Sequence, residues 1–389
     1  MPASPLTAAV RRFPLLGRPR PDCPALPARI QEITDAVETA RHRADHGMAD
    51  AAHALNKAAL IASDAGLTDL ARRLCWQHID TYRHAGRRLT IREARYVLEP
   101  VLNLARLQIR TDQGSAALRL LESMYHAVTR HCDLIVAEQT LPLANLTGEP
   151  ADRRQLRQWV WLQFIGEGVR ALALAGRWDE AAEHARHHNG IGDHLMEGRQ
   201  TEIITHCLNG TRPQARMLLA ESTTTETWEH DIAACLHLMC LPTSDEPTAP
   251  TGAVPLLTAA VGRYDGSNSS ANYASYRARL GLTIATLANT IRASMATALL
   301  TRVAENAISS ADGYAARDVL GFRDPIEGIT DAQRRRLNYR AAEAGLGIGT
   351  LPESILQRLT AGSDEAAAVL GTALVLASAQ TPARRSSTK

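Results

Sequence analysis

Lysine is almost missing from this chain of 389 residues: it occurs only at Lys57 and Lys389, and nearly every positive charge is an arginine. With abundant alanine beside it, that bias reads as the imprint of a GC-rich bacterial genome rather than as arginine-specific recognition. Charge of one sign is also lacking. The 43 basic and 41 acidic residues leave a formal net charge of +2, which excludes a global attraction to nucleic acid or to an anionic membrane. Aromatic residues make up only 4 %, and Ala, Leu, Arg and Glu dominate, which favours helix over sheet. Six cysteines (Cys23, Cys75, Cys132, Cys207, Cys235, Cys240) are scattered without C-x-x-C spacing, so they read as buried thiols of a reducing cytoplasm and not as a disulfide framework. On a helix, Cys235 and Cys240 would project about 140° apart, a poor geometry for a bridge. No apolar run approaches 18 residues, so no membrane span is expected. Arg11-Arg12-Phe13, with no acid before Asp22, hints at a twin-arginine signal. Gly17-Arg18-Pro19-Arg20-Pro21 stands where the apolar region would have to be, and export is rejected.

What is present is helical text. Residues 1–27 hold seven prolines and no helical period, and read as an extended or disordered arm. Residues 28–241 read as helix pairs. Ile30, Ile33 and Val37 space a helix from Ala28; pairs follow at 49–65 and 67–85, then 91–111 and 115–131, with Pro100 expected to kink or start its helix. The apolar stretch around Cys132 to Val136 predicts an atypical short helix. Further pairs read at 152–175 with 178–188 and at 194–208 with 213–221, and a helix at 228–241 closes this half. Residues 242–252 read as a linker or loop. A less regular C-terminal region (253–380) is expected to hold helices at 253–264, 271–290, 294–310, 313–320, 330–345, 351–361 and 364–379, and residues 381–389 read as a disordered tail.

Two stretches set the organisation. Leu172-Ala173-Leu174-Ala175-Gly176-Arg177-Trp178-Asp179-Glu180-Ala181-Ala182 is followed, 34 residues after Gly176, by Leu208-Asn209-Gly210-Thr211-Arg212-Pro213-Gln214-Ala215-Arg216. In each, a helix stops at a glycine that can turn left-handed, and a second helix opens on small residues. Ala181 and Ala215 stand five residues past the glycines, as Ala71 does after Gly66, and predict close helix crossings. This punctuated helix–turn–helix period resembles the tetratricopeptide repeat (TPR). The resemblance implies an all-α fold of right-handed stacked helix pairs, a TPR-like α-solenoid.

In that family the first helix of each pair lines a concave groove. The resemblance therefore implies groove-facing places for His53, Asn56 and Leu60, with Lys57 next to Asn56, for Asn103, Arg106 and Arg110, for Gln163, Glu167 and Arg170, and for Arg199 and Gln200. Family members that clamp a peptide carboxylate use Asn, Lys and Arg there, because planar amides and guanidinium groups can bond it bidentately.

Other clusters carry weaker signals. His184 and His188 have a chelating i, i+4 spacing, but H-E-x-x-H is absent and Asp193 reads as the N-cap of a helix at 194. Gly190-Ile191-Gly192 and Gly345-Leu346-Gly347-Ile348-Gly349 follow no strand, and neither G-x-x-x-x-G-K-[ST] nor G-x-S-x-G occurs. Arg334-Arg335-Arg336 with Arg340 reads as a solvated helix face. The expectation is a cytoplasmic helical-repeat binding protein, an adaptor or a regulatory sensor, that takes a protein, a peptide or a small ligand in a concave groove. No cofactor, metal, membrane contact or direct nucleic-acid binding is expected, and a homodimer is left open. The rival is an enzyme, or an accessory protein of a biosynthetic complex, with Glu202 or His206 buried beside Arg170.

Overall fold

A computed structural model describes residues 4–43, 47–242, 252–267 and 269–379; most of the linker at 242–252 and the tail at 381–389 lie outside them. Among the described residues the fold is all-α apart from one hairpin. The chain opens with α1 (Pro5–Val10), α2 (Leu26–His42), α3 (Gly47–Asp64), α4 (Thr68–Arg83), α5 (Ile91–Arg110) and α6 (Gly114–Arg130). Strands β1 (Leu134–Val136) and β2 (Gln139–Leu141) precede α7 (Pro150–Leu174), α8 (Trp178–His187), α9 (Glu197–Leu208), α10 (Arg212–Ala220) and α11 (Thr227–Met239). Then come α12 (Ala253–Gly266), α13 (Ala274–Ala288), α14 (Ala293–Ser309), α15 (Gly313–Leu320), α16 (Asp331–Glu343) and α17 (Glu353–Ala379).

The helix stops obey one rule. Gly66, Gly176 and Gly210 all have a left-handed φ, of 85°, 73° and 77°. After each, the next N–H reaches back to the carbonyl five residues earlier: Leu67 to Ala62, Arg177 to Leu172, Thr211 to His206. This is the Schellman closure, which satisfies orphan carbonyls and reverses the chain into the second helix. Asp112, with φ 60°, replaces glycine in the same motif between α5 and α6, where Gln113 N–H bonds Gln108 O. Past each stop, Ala71, Ala117, Ala181 and Ala215 are at most 1 % exposed.

The chain divides into two compact units, one of Met1–Ala25 with Ile165–Leu346 (unit 1) and one of Leu26–Phe164 with Gly347–Lys389 (unit 2). This differs from the division into 28–241 and 253–380. In unit 2, α2 to α6 pack successively, and α17 returns from the far end of the chain to lie on α2, α3 and α4. Its buried stripe is Leu359, Ser363, Ala366, Leu370 and Leu374. The two helices expected at 351–361 and 364–379 are one. A Cβ on Gly362 would meet Ile33 Cγ2 at 3.1 Å, and Ser363 Oγ donates to Gln77 Oε1 at 2.8 Å, so the small pair serves packing and not a stop. Among the described residues, Glu353–Ala377 is also the one stretch long and apolar enough to cross a membrane by length and composition, although polar residues interrupt its apolar run.

Three further expectations change. Residues 134–141 form a hairpin and not a short helix: Leu134 and Val136 face inward around an exposed Ile135, and Ala137 and Glu138 both take positive φ in a two-residue turn. Pro100 does not start its helix: α5 begins at a Thr90–Glu93 capping box and runs on through the proline. The N-terminal arm is built into unit 1. Phe13, Leu15 and Cys23 are buried, Gln200 bonds both the N–H and the carbonyl of Leu15 (2.8 and 2.6 Å), and Cys23 bonds Asp312 and Gly313. Its prolines suit an extended path along other elements, because they leave few N–H groups to satisfy.

Candidate functional site

In unit 2, α3 and α5 pack side by side and present a polar stripe. Asn56 on α3 donates through Nδ2 to Glu99 Oε2 (2.7 Å) and accepts at Oδ1 from Asn103 Nδ2 (3.3 Å). One turn on, Arg106 Nη1 donates to Asn103 Oδ1 (3.4 Å). Glu99, Asn103 and Arg106 stand at i, i+4 and i+7, so one face of α5 carries all three. Burial pushes the Glu99 carboxyl above the ordinary carboxylate range, against the pull of Arg95, His53, Asn56 and Arg106. Exposed His53 lies one turn before Asn56. Arg95 extends the stripe toward α7, its guanidinium lying over the Trp159 ring at 5.3 Å from the centroid. Gln163, four residues past Trp159, shares that face of α7 and is half-buried.

The structure thus joins His53, Asn56, Asn103 and Arg106 and adds Glu99, Arg95 and Trp159, which sequence reasoning missed. The i−4 spacing from Asn103 would have found Glu99. Lys57 is not part of the stripe: about 100° round the helix from Asn56, it pairs with Glu32 of α2. Arg110 is drawn to the end of α3, where Nη1 meets Ser63 Oγ (2.5 Å) and Asp64 Oδ1 (3.2 Å).

The remaining expected groove residues belong to unit 1. Buried Glu167 faces Arg170 at 3.6 Å within α7. Arg199 and Gln200 are interior, not groove-facing. Arg199 Nη2 donates to Leu218 O (2.8 Å) at the end of α10 and its Nε to Ser222 Oγ (3.1 Å), while Gln200 holds the N-terminal segment. Glu202 pairs with Arg186 (2.9 Å) and lies 3.8 Å from His206; no bond joins it to Arg170 among the described contacts. The His184 and His188 rings are 5.1 Å apart, but among the described residues no group of three His, Cys, Asp or Glu side chains is arranged to hold a metal ion. Asp193 caps no helix; α9 begins at Glu197, and Asp193 O accepts from Thr223 N–H instead.

Unit 1 has two further clusters. Burial raises the Asp231 carboxyl to about 6 beside Tyr276 and Cys235, but the three are at most 9 % exposed. An open cleft of about 530 Å³ is lined by Leu320, Phe322, Arg323, Asp324, Arg334 and Asn338. Its Asp324 is engaged by Arg12 (3.6 Å) and Thr286, which leaves Arg323 and Arg334 to set the charge of the wall.

Compared with protein-family models, with curated proteins and with solved structures, the chain has no match.

Proposed function

We propose that this chain is a TPR-like helical-repeat binding protein of the cytoplasm, an adaptor or regulatory sensor, whose α3–α5 stripe takes a protein or peptide carrying a carboxylate. The observation that carries this is the Asn56–Glu99–Asn103–Arg106 network: half-buried amide and guanidinium groups on two adjacent first helices, joined to one another by hydrogen bonds. An incoming carboxylate can take over the donors of Asn103 and Arg106 as charge-assisted bonds, shorter and stronger than the 3.3 and 3.4 Å bonds they now make. The four glycine- or aspartate-stopped helix pairs support the repeat reading, and six free thiols support a reducing compartment.

The test is binding of synthetic peptides with free or amidated C-termini to the full-length protein and to Asn103→Ala, Arg106→Ala and the outer-face control Arg72→Ala. Losing a charge-assisted bond costs about 1.5–3 kcal/mol, so Arg106→Ala should weaken free-carboxylate peptides at least about tenfold. Arg72 pairs with Asp69 on an exposed face and should matter little. Equal effects in all variants, or indifference to amidation, would remove the site from this stripe.

The sensor reading with a small ligand has its own support in the arginine-lined cleft of unit 1. Thermal stabilisation by small carboxylates or phosphate esters that is lost in Arg334→Ala but kept in Arg106→Ala would favour it.

A further inference from the structure

All six cysteines are free thiols, but two of them lie against each other. Cys207 stands in the last turn of α9 and Cys240 caps the C-terminus of α11, and their sulfurs are 3.6 Å apart in an S–H···S contact. Both are at most 3 % exposed. Helix α10 sets two guanidinium groups near the pair: Arg216 Nη1 donates to Cys240 O at 3.2 Å, and Arg212 stands one turn earlier. The hydrogen bond from the Cys207 thiol, with help from Arg216 and Arg212, holds Cys240 below the ordinary thiol value against the cost of burial. As the donor, Cys207 is shifted upward. One sulfur is thus prepared as the thiolate, with a second already in reach of it.

We propose that Cys207 and Cys240 are a redox-reactive pair that a peroxide converts into a disulfide. The Cys240 thiolate attacks one oxygen of hydrogen peroxide. The O–O bond breaks, the leaving hydroxide takes the proton that Cys240 has released, and Cys240 becomes a sulfenic acid. Cys207 sulfur then attacks Cys240 sulfur; the S–O bond breaks, and the departing hydroxide takes the Cys207 proton. Two thiols and one peroxide give one disulfide and two waters, each sulfur losing one electron and the peroxide gaining two. The bridge joins residues 33 apart and ties the end of α9 to the end of α11 around α10. Cys235 is buried one turn before Cys240 on α11, roughly 140° round the helix, and stays outside the reaction.

The test uses the full-length protein carrying Cys132→Ser, which removes the exposed thiol. After stoichiometric hydrogen peroxide, acid quench, unfolding and alkylation, peptide mass mapping should find Cys207 and Cys240 linked, lighter by two hydrogens and restored by dithiothreitol. Alkylatable thiols should fall by two, and the oxidised protein should melt several degrees higher, because the cross-link restricts the unfolded chain. In Cys207→Ser the Cys240 sulfenic acid has no resolving partner and should be trapped by dimedone. Should that variant fail to fold, the map of the Cys132→Ser protein decides alone. Peroxide treatment that leaves Cys207 and Cys240 both alkylatable, or that links either of them to Cys235, overturns the proposal.

Discussion

Arg29 on α2 and Asp64 at the end of α3 meet at 2.6 Å with both side chains at most 3 % exposed. Arg110 of α5 reaches the other carboxylate oxygen at 3.2 Å, and the backbone carbonyl of Asp64 accepts from Gly347 N–H. One carboxylate therefore gathers three elements of unit 2, at the glycine stop that separates α3 from α4.

Truncating such a pair on one side is costly, because it leaves a charge buried alone. Asp64→Asn should destabilise unit 2 by about 3–5 kcal/mol in urea unfolding. Replacing both partners, as Arg29→Met with Asp64→Leu, should recover much of that loss. A single variant as stable as wild type would mean that the pair is not dry.

His78 on α4 is wholly buried, with neither ring nitrogen hydrogen-bonded, and burial pulls its pKa down to about 3. The folded state therefore binds fewer protons than the unfolded state between pH 6.5 and about 3, and stability is lost as pH falls through that window. The slope approaches about 1.4 kcal/mol per pH unit. Between pH 7 and pH 5, wild type should lose about 2 kcal/mol more than His78→Leu. Parallel losses in the two proteins would show that water reaches the ring.

Ala71→Trp or Ala215→Trp should force apart the helices packed around these buried positions, where close crossings are expected. Overpacking costs about 1–3 kcal/mol and more for a large insert. A thermal melt unchanged from wild type would contradict the crossing.

Gln200→Leu should strip both bonds from the Leu15 backbone and loosen the N-terminal segment. Unsatisfied buried groups cost about 1–3 kcal/mol each, so tryptic cleavage at Arg11 or Arg12 should speed up at least about tenfold. Cleavage at the wild-type rate would mean that other contacts hold the segment.

Local chemistry was legible in the chain by itself. The glycine stops, the buried alanines that follow them, the helical class and the α5 arginine and amide spacing all depend on residues within a few turns, where φ preference and a 3.6-residue period suffice. Gly362-Ser363 and residues 134–136 misled for the same reason: a glycine that packs against Ile33 looks like a glycine that ends a helix, and a three-residue strand has too short a period to read. Only the tertiary structure decided which unit each end of the chain joins. The buried stripe of α17 suits many apolar surfaces, and the prolines of residues 4–25 say nothing of which elements that segment contacts. It also decided which polar residues serve inward. Arg199 and Gln200 carry the same chemistry as Arg106 and Asn103, and what separates them is a distant partner, Leu15 for Gln200 and the end of α10 for Arg199, that no local spacing encodes.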